Sequence, residues 1–189
     1  FNECILIGVG CNEIYNEIGL LTRLFYNNIL SNKYAHSVRD SEAERLLNSI
    51  GFDNVINTGC PTFWNLDEGK INSISLKKSC DVLFTLTDYN KDYNRDKLLI
   101  DKLLFHYKNI YFWKQGRNDT EYLKSILGKN DFEKINILPP SLMHLKAFLE
   151  QNEDVDYVGT RLHAGIFSLM HCKRSIIMSL DHRADMMNR

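Results

Sequence analysis

Short runs of β-forming apolar residues alternate along the chain with longer stretches in which apolar side chains return every three or four positions. Cys4-Ile5-Leu6-Ile7-Gly8-Val9-Gly10 reads as a buried strand. A helix from about Ile14 to Leu30 follows, with Ile14, Ile18, Leu21, Leu24, Phe25 and Ile29 on one face. Residues 34–39 form a second, shorter strand. Ser41-Glu42-Ala43-Glu44 has the spacing of a capping box and opens a helix that Gly51 stops. Val55-Ile56 is a third strand. From Thr62 to Lys78 the periodicity fades, and the stretch reads as a connection.

The rhythm then resumes. Residues 81–86, 109–113, 135–138, 155–158 and 174–178 read as strands, with helices between them and a further one opening at Asp181-His182-Arg183. Such alternation predicts an α/β fold of two Rossmann-like parallel-sheet units with helices on both faces. Residues 1–66 are expected to form part of the first unit, 67–78 the connection and 79–189 the second unit. Right-handed crossovers put every strand's carboxyl end on one edge of its sheet, so two facing units would enclose a cleft.

Composition narrows the partners. A net charge of −1 over 189 residues gives no bulk attraction to nucleic acid or an anionic membrane, and no apolar run is long enough to span a bilayer. The five cysteines contain no C-x-x-C pair, and the six histidines no H-x-x-x-H, so reduced thiols in a cytosolic protein are expected, with no metal and no cofactor. The chain opens at Phe1 and stops at Arg189 inside a helical pattern, so both ends read as cuts in a longer protein and the first unit as incomplete.

The predicted strand ends carry polar groups: Gly10-Cys11-Asn12, Arg39-Asp40, Asp88, Lys114-Gln115, Ser141, Arg161 with His163, and Asp181-His182-Arg183. Loops are polar in any protein, but three of these places bring an arginine, which favours a small anionic substrate. Gly159-Thr160 joins a strand to a helix. Thr160 is suited to cap that helix, and Arg161 and His163 then fall in its first turn, where dipole and amides favour an anion. Gly8-Val9-Gly10 is no dinucleotide fingerprint, because the third glycine would fall at Glu13. His36, His106, His171, Trp64 and Trp113 read as structural.

Val158-Gly159-Thr160-Arg161-Leu162-His163-Ala164, followed by Ile176-Ile177 and Asp181-His182-Arg183-Ala184, resembles the polysaccharide pyruvyl transferase family. Ser37-Val38-Arg39-Asp40-Ser41-Glu42-Ala43 looks like that family's other recurrent segment, a strand ending in Arg-Asp before a helix. The resemblance implies a two-domain fold similar to GT-B glycosyltransferases. It implies transfer of the pyruvyl group of phosphoenolpyruvate onto sugar hydroxyls of a surface polysaccharide or its precursor, with release of phosphate. It implies that Arg39 and Arg161 hold the donor's carboxylate and phosphate and that His163 moves protons. Leu162, Gln115, Asp181, His182 and Arg183 are the expected substrate-binding residues. The partners implied are phosphoenolpyruvate and a saccharide acceptor, free or lipid-linked, and the place is the cytoplasm, in solution or at the inner face of the membrane. The family's glycine-rich turn after its first strand has no counterpart here. Two other readings are a glycosyltransferase using a nucleotide sugar and a truncated, non-catalytic α/β module.

Overall fold

The computed structural model describes residues 4–11 and 13–180. Asn12 and the expected site residues Asp181, His182 and Arg183 lie outside them. The chain divides into two compact units, one running to Asn65 and the other Leu66–Leu180. The fold is α/β with parallel sheets of two and five strands.

In the first unit, α1 (Leu20–Ile29), β1 (His36–Val38), α2 (Ser41–Ser49) and β2 (Val55–Asn57) surround a core of Leu30, Val38, Ala43, Leu47, Ile50 and Phe52. β1 and β2 pair in parallel. The expected buried strand at 4–10 is instead an extended segment beside β1, touching its neighbours through single bridges at Cys4 and Val9. Ile5, Ile7 and Val9 are exposed. Gly8 breaks the ladder: its φ is +62°, and a side chain there would run into Pro61.

The expected helix from Ile14 begins only at Leu20. Glu42 Oε1 accepts from the Tyr15 amide (3.2 Å) and Arg45 donates to the Tyr15 carbonyl, so α2 takes the backbone groups a helical turn would have used. The expected inward face is also corrected. Leu20, Leu21, Leu24 and Phe25 are exposed, and no residue of α1 is fully buried. His36, expected to be structural, is buried: its Nδ1 accepts from the Leu6 amide and its Nε2 donates to the Ser31 carbonyl. Trp64 is half exposed, with its indole donating to the Thr58 carbonyl, rather than packed inside.

The stretch expected to be a bare connection holds a 3₁₀ turn at Pro61–Phe63 and α3 (Glu68–Ser73), whose first turn is capped by Asp67. The second unit continues as β3 (Asp81–Thr85), α4 (Tyr93–His106), β4 (Asn109–Trp113), α5 (Asp119–Ile126), α6 (Lys129–Phe132), β5 (Ile135–Leu138), α7 (Leu142–Gln151), β6 (Val155–Gly159), α8 (Leu162–Met170) and β7 (Ser175–Ile177). The four-residue α6 has too little periodicity to register in the sequence.

The sheet order is β5-β4-β3-β6-β7, with every pairing parallel. The central β3 and its neighbour β4 read as largely apolar runs because both faces of the sheet are covered there. Val82 and Phe84 point into one core with Ile100, Leu103, Phe112 and Leu123. Leu83 points into the other with Leu145, Leu149, Tyr157 and Ala164. From β3 the chain builds outward through β4 and β5. It then returns to the other side of β3 with β6 and β7. The order therefore reverses between β3 and β6, and in open α/β sheets the carboxyl ends at such a point are where ligands bind.

At the opposite, amino-terminal end of the same two strands lies a buried ion pair. Asp156, on β6, accepts from Arg174, from the Tyr107 hydroxyl (2.8 Å) and from the Ser79 amide (3.2 Å). Burial and the hydrogen bond to Asp156 push the Tyr107 phenol up to about 12, so it stays a donor at any ordinary pH.

Candidate active site

The β3–β6 pairing ends at Thr85 opposite Gly159. A side chain on Gly159 would come within 2.8 Å of both the backbone N and O of Thr85, so glycine lets the strands close at this end. Beyond it, Thr160 does not cap α8. Its hydroxyl is bonded to that of Thr87 (2.8 Å), and Arg161 is the N-cap residue, with no side-chain cap. Tyr157 sits fully buried beneath, bonded to the Thr85 hydroxyl (2.6 Å) and donating to the Arg161 carbonyl (2.9 Å). Burial holds its phenol far above the ordinary value. The β6–α8 turn is thus tied to the end of β3 from both sides.

Arg161 spans this end of the sheet. Its Nε donates to the Leu86 carbonyl (3.0 Å), and its Nη2 to Asp119 (2.8 Å) and Asp88 (3.3 Å). Its Cζ lies 5.2 Å from the centre of the Tyr89 ring, within cation–π range. Asp119 opens α5, and its other oxygen accepts from the amides of Gln115 (2.8 Å) and Gly116 (2.7 Å). One guanidinium therefore organises the loops after β3, β4 and β6. Two carboxylates against one guanidinium leave the cluster with a net negative charge.

On α8 the Gly165 amide makes the first intrahelical bond, to the Arg161 carbonyl. The amides of Leu162, His163 and Ala164 precede the helix's own ladder and carry the positive end of its dipole. His163 is exposed at this end, and Leu162 is partly so. Gln115 is brought to the cluster through its backbone amide, and its side chain is exposed. Sequence reasoning missed Asp119 and Tyr89. The one signal for Asp119 was an acidic residue opening a helix just after Lys114-Gln115-Gly116.

Arg39 lies in the first unit, where β1 ends. Its Nε is 3.9 Å from Asp40, and its amide donates to the Val9 carbonyl (2.9 Å). Asp40, rather than Ser41, is the cap of α2: one oxygen takes the Ala43 amide (2.8 Å) and the other the Cys11 amide (3.0 Å). Gly10 leaves room for both side chains, since a Cβ there would overlap Arg39 and Asp40. Burial, with Asp40 and Glu42 nearby, raises the Cys11 thiol, which disfavours the reactive thiolate. All five cysteines are free. No described helix is long and apolar enough to cross a membrane.

The family model for polysaccharide pyruvyl transferases matches residues 2–182. No curated protein and no solved structure matches the chain.

Proposed function

The chain belongs to the polysaccharide pyruvyl transferase family, a family of transferases acting on saccharides, and from that premise we propose that it takes the pyruvyl group from phosphoenolpyruvate at the β6–α8 turn. The observation that carries this reading is the position of Arg161 and His163, outside the carboxyl ends of β3 and β6 where the sheet order reverses. The turn offers what such a donor needs. Arg161 presents the guanidinium edge that its fixed bonds leave over, and the first amides of α8 add directional donors for an oxyanion.

In the proposed reaction the enol carbon gains a proton and positive charge grows on the carbon bearing the phosphate oxygen. A sugar hydroxyl attacks that carbon and loses its proton. A second hydroxyl then displaces phosphate, its proton leaving with the phosphate oxygen, and closes a ketal. An imidazole can both donate and accept a proton, so His163 is suited to give the first proton or take the second. Leu162 and the Gln115 loop border the place where the acceptor would lie. The resemblance gives Arg39 a share in holding the donor. Asp181, His182 and Arg183 keep the substrate-binding role it implies. The scheme uses side chains and backbone amides alone, without a cofactor. A donor drawn from central metabolism sets the reaction in the cytoplasm, in solution or at the inner membrane face, on a free or lipid-linked acceptor.

The test is phosphate release from phosphoenolpyruvate by the full chain, assayed with a panel of saccharides. Release that depends on one class of saccharide is the expected result. Sugar transfer from a nucleotide sugar, with phosphoenolpyruvate untouched, would overturn the reading.

A further inference from the structure

The two carboxylates on Arg161 are not equivalent. Asp119 is 1% exposed and makes three bonds: to the guanidinium at 2.8 Å and to the amides of Gln115 and Gly116. Asp88 is 18% exposed and, among the described residues, makes a single bond to the same nitrogen at 3.3 Å. Both lean over Gly116, where a Cβ would sit 2.7 Å from Asp119 and 3.0 Å from each oxygen of Asp88, so only a glycine allows the pair to converge. Asp88 lies on the loop after β3, with the ring of neighbouring Tyr89 within cation–π range of the guanidinium.

We propose that Asp119 is the fixed anchor of Arg161, and that Asp88 is a resident stand-in for the anionic group of the substrate, giving up its place on the guanidinium when that group arrives. The proposal rests on the reading of the β6–α8 turn as the donor site. A carboxylate held by one long bond near solvent matches the donor's own carboxylate in charge and geometry, and exchange between them keeps the guanidinium paired throughout. Without exchange, the surplus negative charge of the cluster repels an incoming polyanion. Asp88 is a specificity-setting residue in this account and Asp119 a positioning residue. In the empty site Asp88 keeps a partly buried cation paired. When the donor binds, Asp88 is the group displaced, which keeps the donor's affinity modest.

The two acids are therefore expected to act with opposite sign. Calorimetric titration of the full chain with phosphoenolpyruvate, and separately with inorganic phosphate, reads this directly. Asp88→Asn and Asp88→Ser should bind phosphoenolpyruvate about five- to tenfold more tightly than the wild type, the scale of a partly exposed ion pair together with the repulsion removed. In turnover the gain should show as a lower KM without a higher kcat. Asp119→Asn should bind it at least about tenfold more weakly. Thermal melting identifies any variant that has lost its fold, and the two Asp88 variants carry the test if Asp119→Asn does not fold. Unchanged or weaker binding in both folded Asp88 variants overturns the proposal. If phosphoenolpyruvate binds none of the proteins while inorganic phosphate binds the Asp88 variants more tightly than the wild type, the donor reading falls and the role of Asp88 stands. If neither ligand binds any of them, both fall.

Discussion

Asp156→Ala is expected to destabilise the second unit by about 3–5 kcal/mol, measured as a lower denaturant midpoint at unchanged slope. Breaking a buried ion pair from one side leaves its remaining partners without theirs. Here those are Arg174, the Tyr107 hydroxyl and the Ser79 amide, gathered on a carboxylate that is almost wholly enclosed. The same residue sets an acid limit. Burial alone would raise its carboxyl, but bonds from Arg174, Tyr107 and Ser79 outweigh that and hold it below the ordinary carboxylate value. A depressed folded pKa contributes stability that is whole above the unfolded value of about 3.9 and is lost as pH falls from there through the folded one. The wild type should therefore lose stability below about pH 4. Asp156→Asn, which keeps the shape and part of the hydrogen bonding, should be less stable at neutral pH and lack this part of the acid slope. An unfolding free energy for Asp156→Ala within a few tenths of a kcal/mol of the wild type would show that the pair contributes little.

His163→Gln is expected to lower pyruvyl transfer by about a hundred- to ten-thousandfold, the usual weight of a positioned acid–base group. Glutamine keeps a polar side chain of similar length but cannot exchange a proton near neutral pH. The residue lies exposed in the first turn of α8, and thermal melting of the variant separates a loss of fold from a loss of chemistry. Affinity for phosphoenolpyruvate should fall much less than turnover, because the proposed anion contacts belong to Arg161 and the α8 amides. Turnover within about threefold of the wild type would remove His163 from the chemistry.

The second unit was readable because its strands are buried on both faces. Val82 to Leu86 and Ile110 to Trp113 are largely apolar runs too short for helices, and Val155 to Gly159 is a β-forming run broken only by Asp156. The first unit was less so. The pattern from Ile14 has helical spacing, yet Glu42 and Arg45 claim the Tyr15 backbone, a contact across about thirty residues that no local window reveals. The same limit applies at the site. Arg161 and His163 were visible as a strand–helix turn. Asp119 and Asp88, 42 and 73 residues away from Arg161, became its partners only through the sheet order. Thr160 has the chemistry of a cap, but Thr87, brought alongside by the β3–β6 pairing, takes its hydroxyl instead.

Amide hydrogen exchange of the wild-type chain, with and without saturating phosphoenolpyruvate, tests the placement of the donor most directly. The amides of Leu162 and Ala164 precede the intrahelical ladder of α8, so this end of the helix should exchange more readily than its middle in the free protein. The account predicts that peptides covering 157–167 slow markedly when the donor is added, together with those covering the loop at 114–119. Protection confined to other segments, or none at donor concentrations that support turnover, would contradict a donor site at the β6–α8 turn.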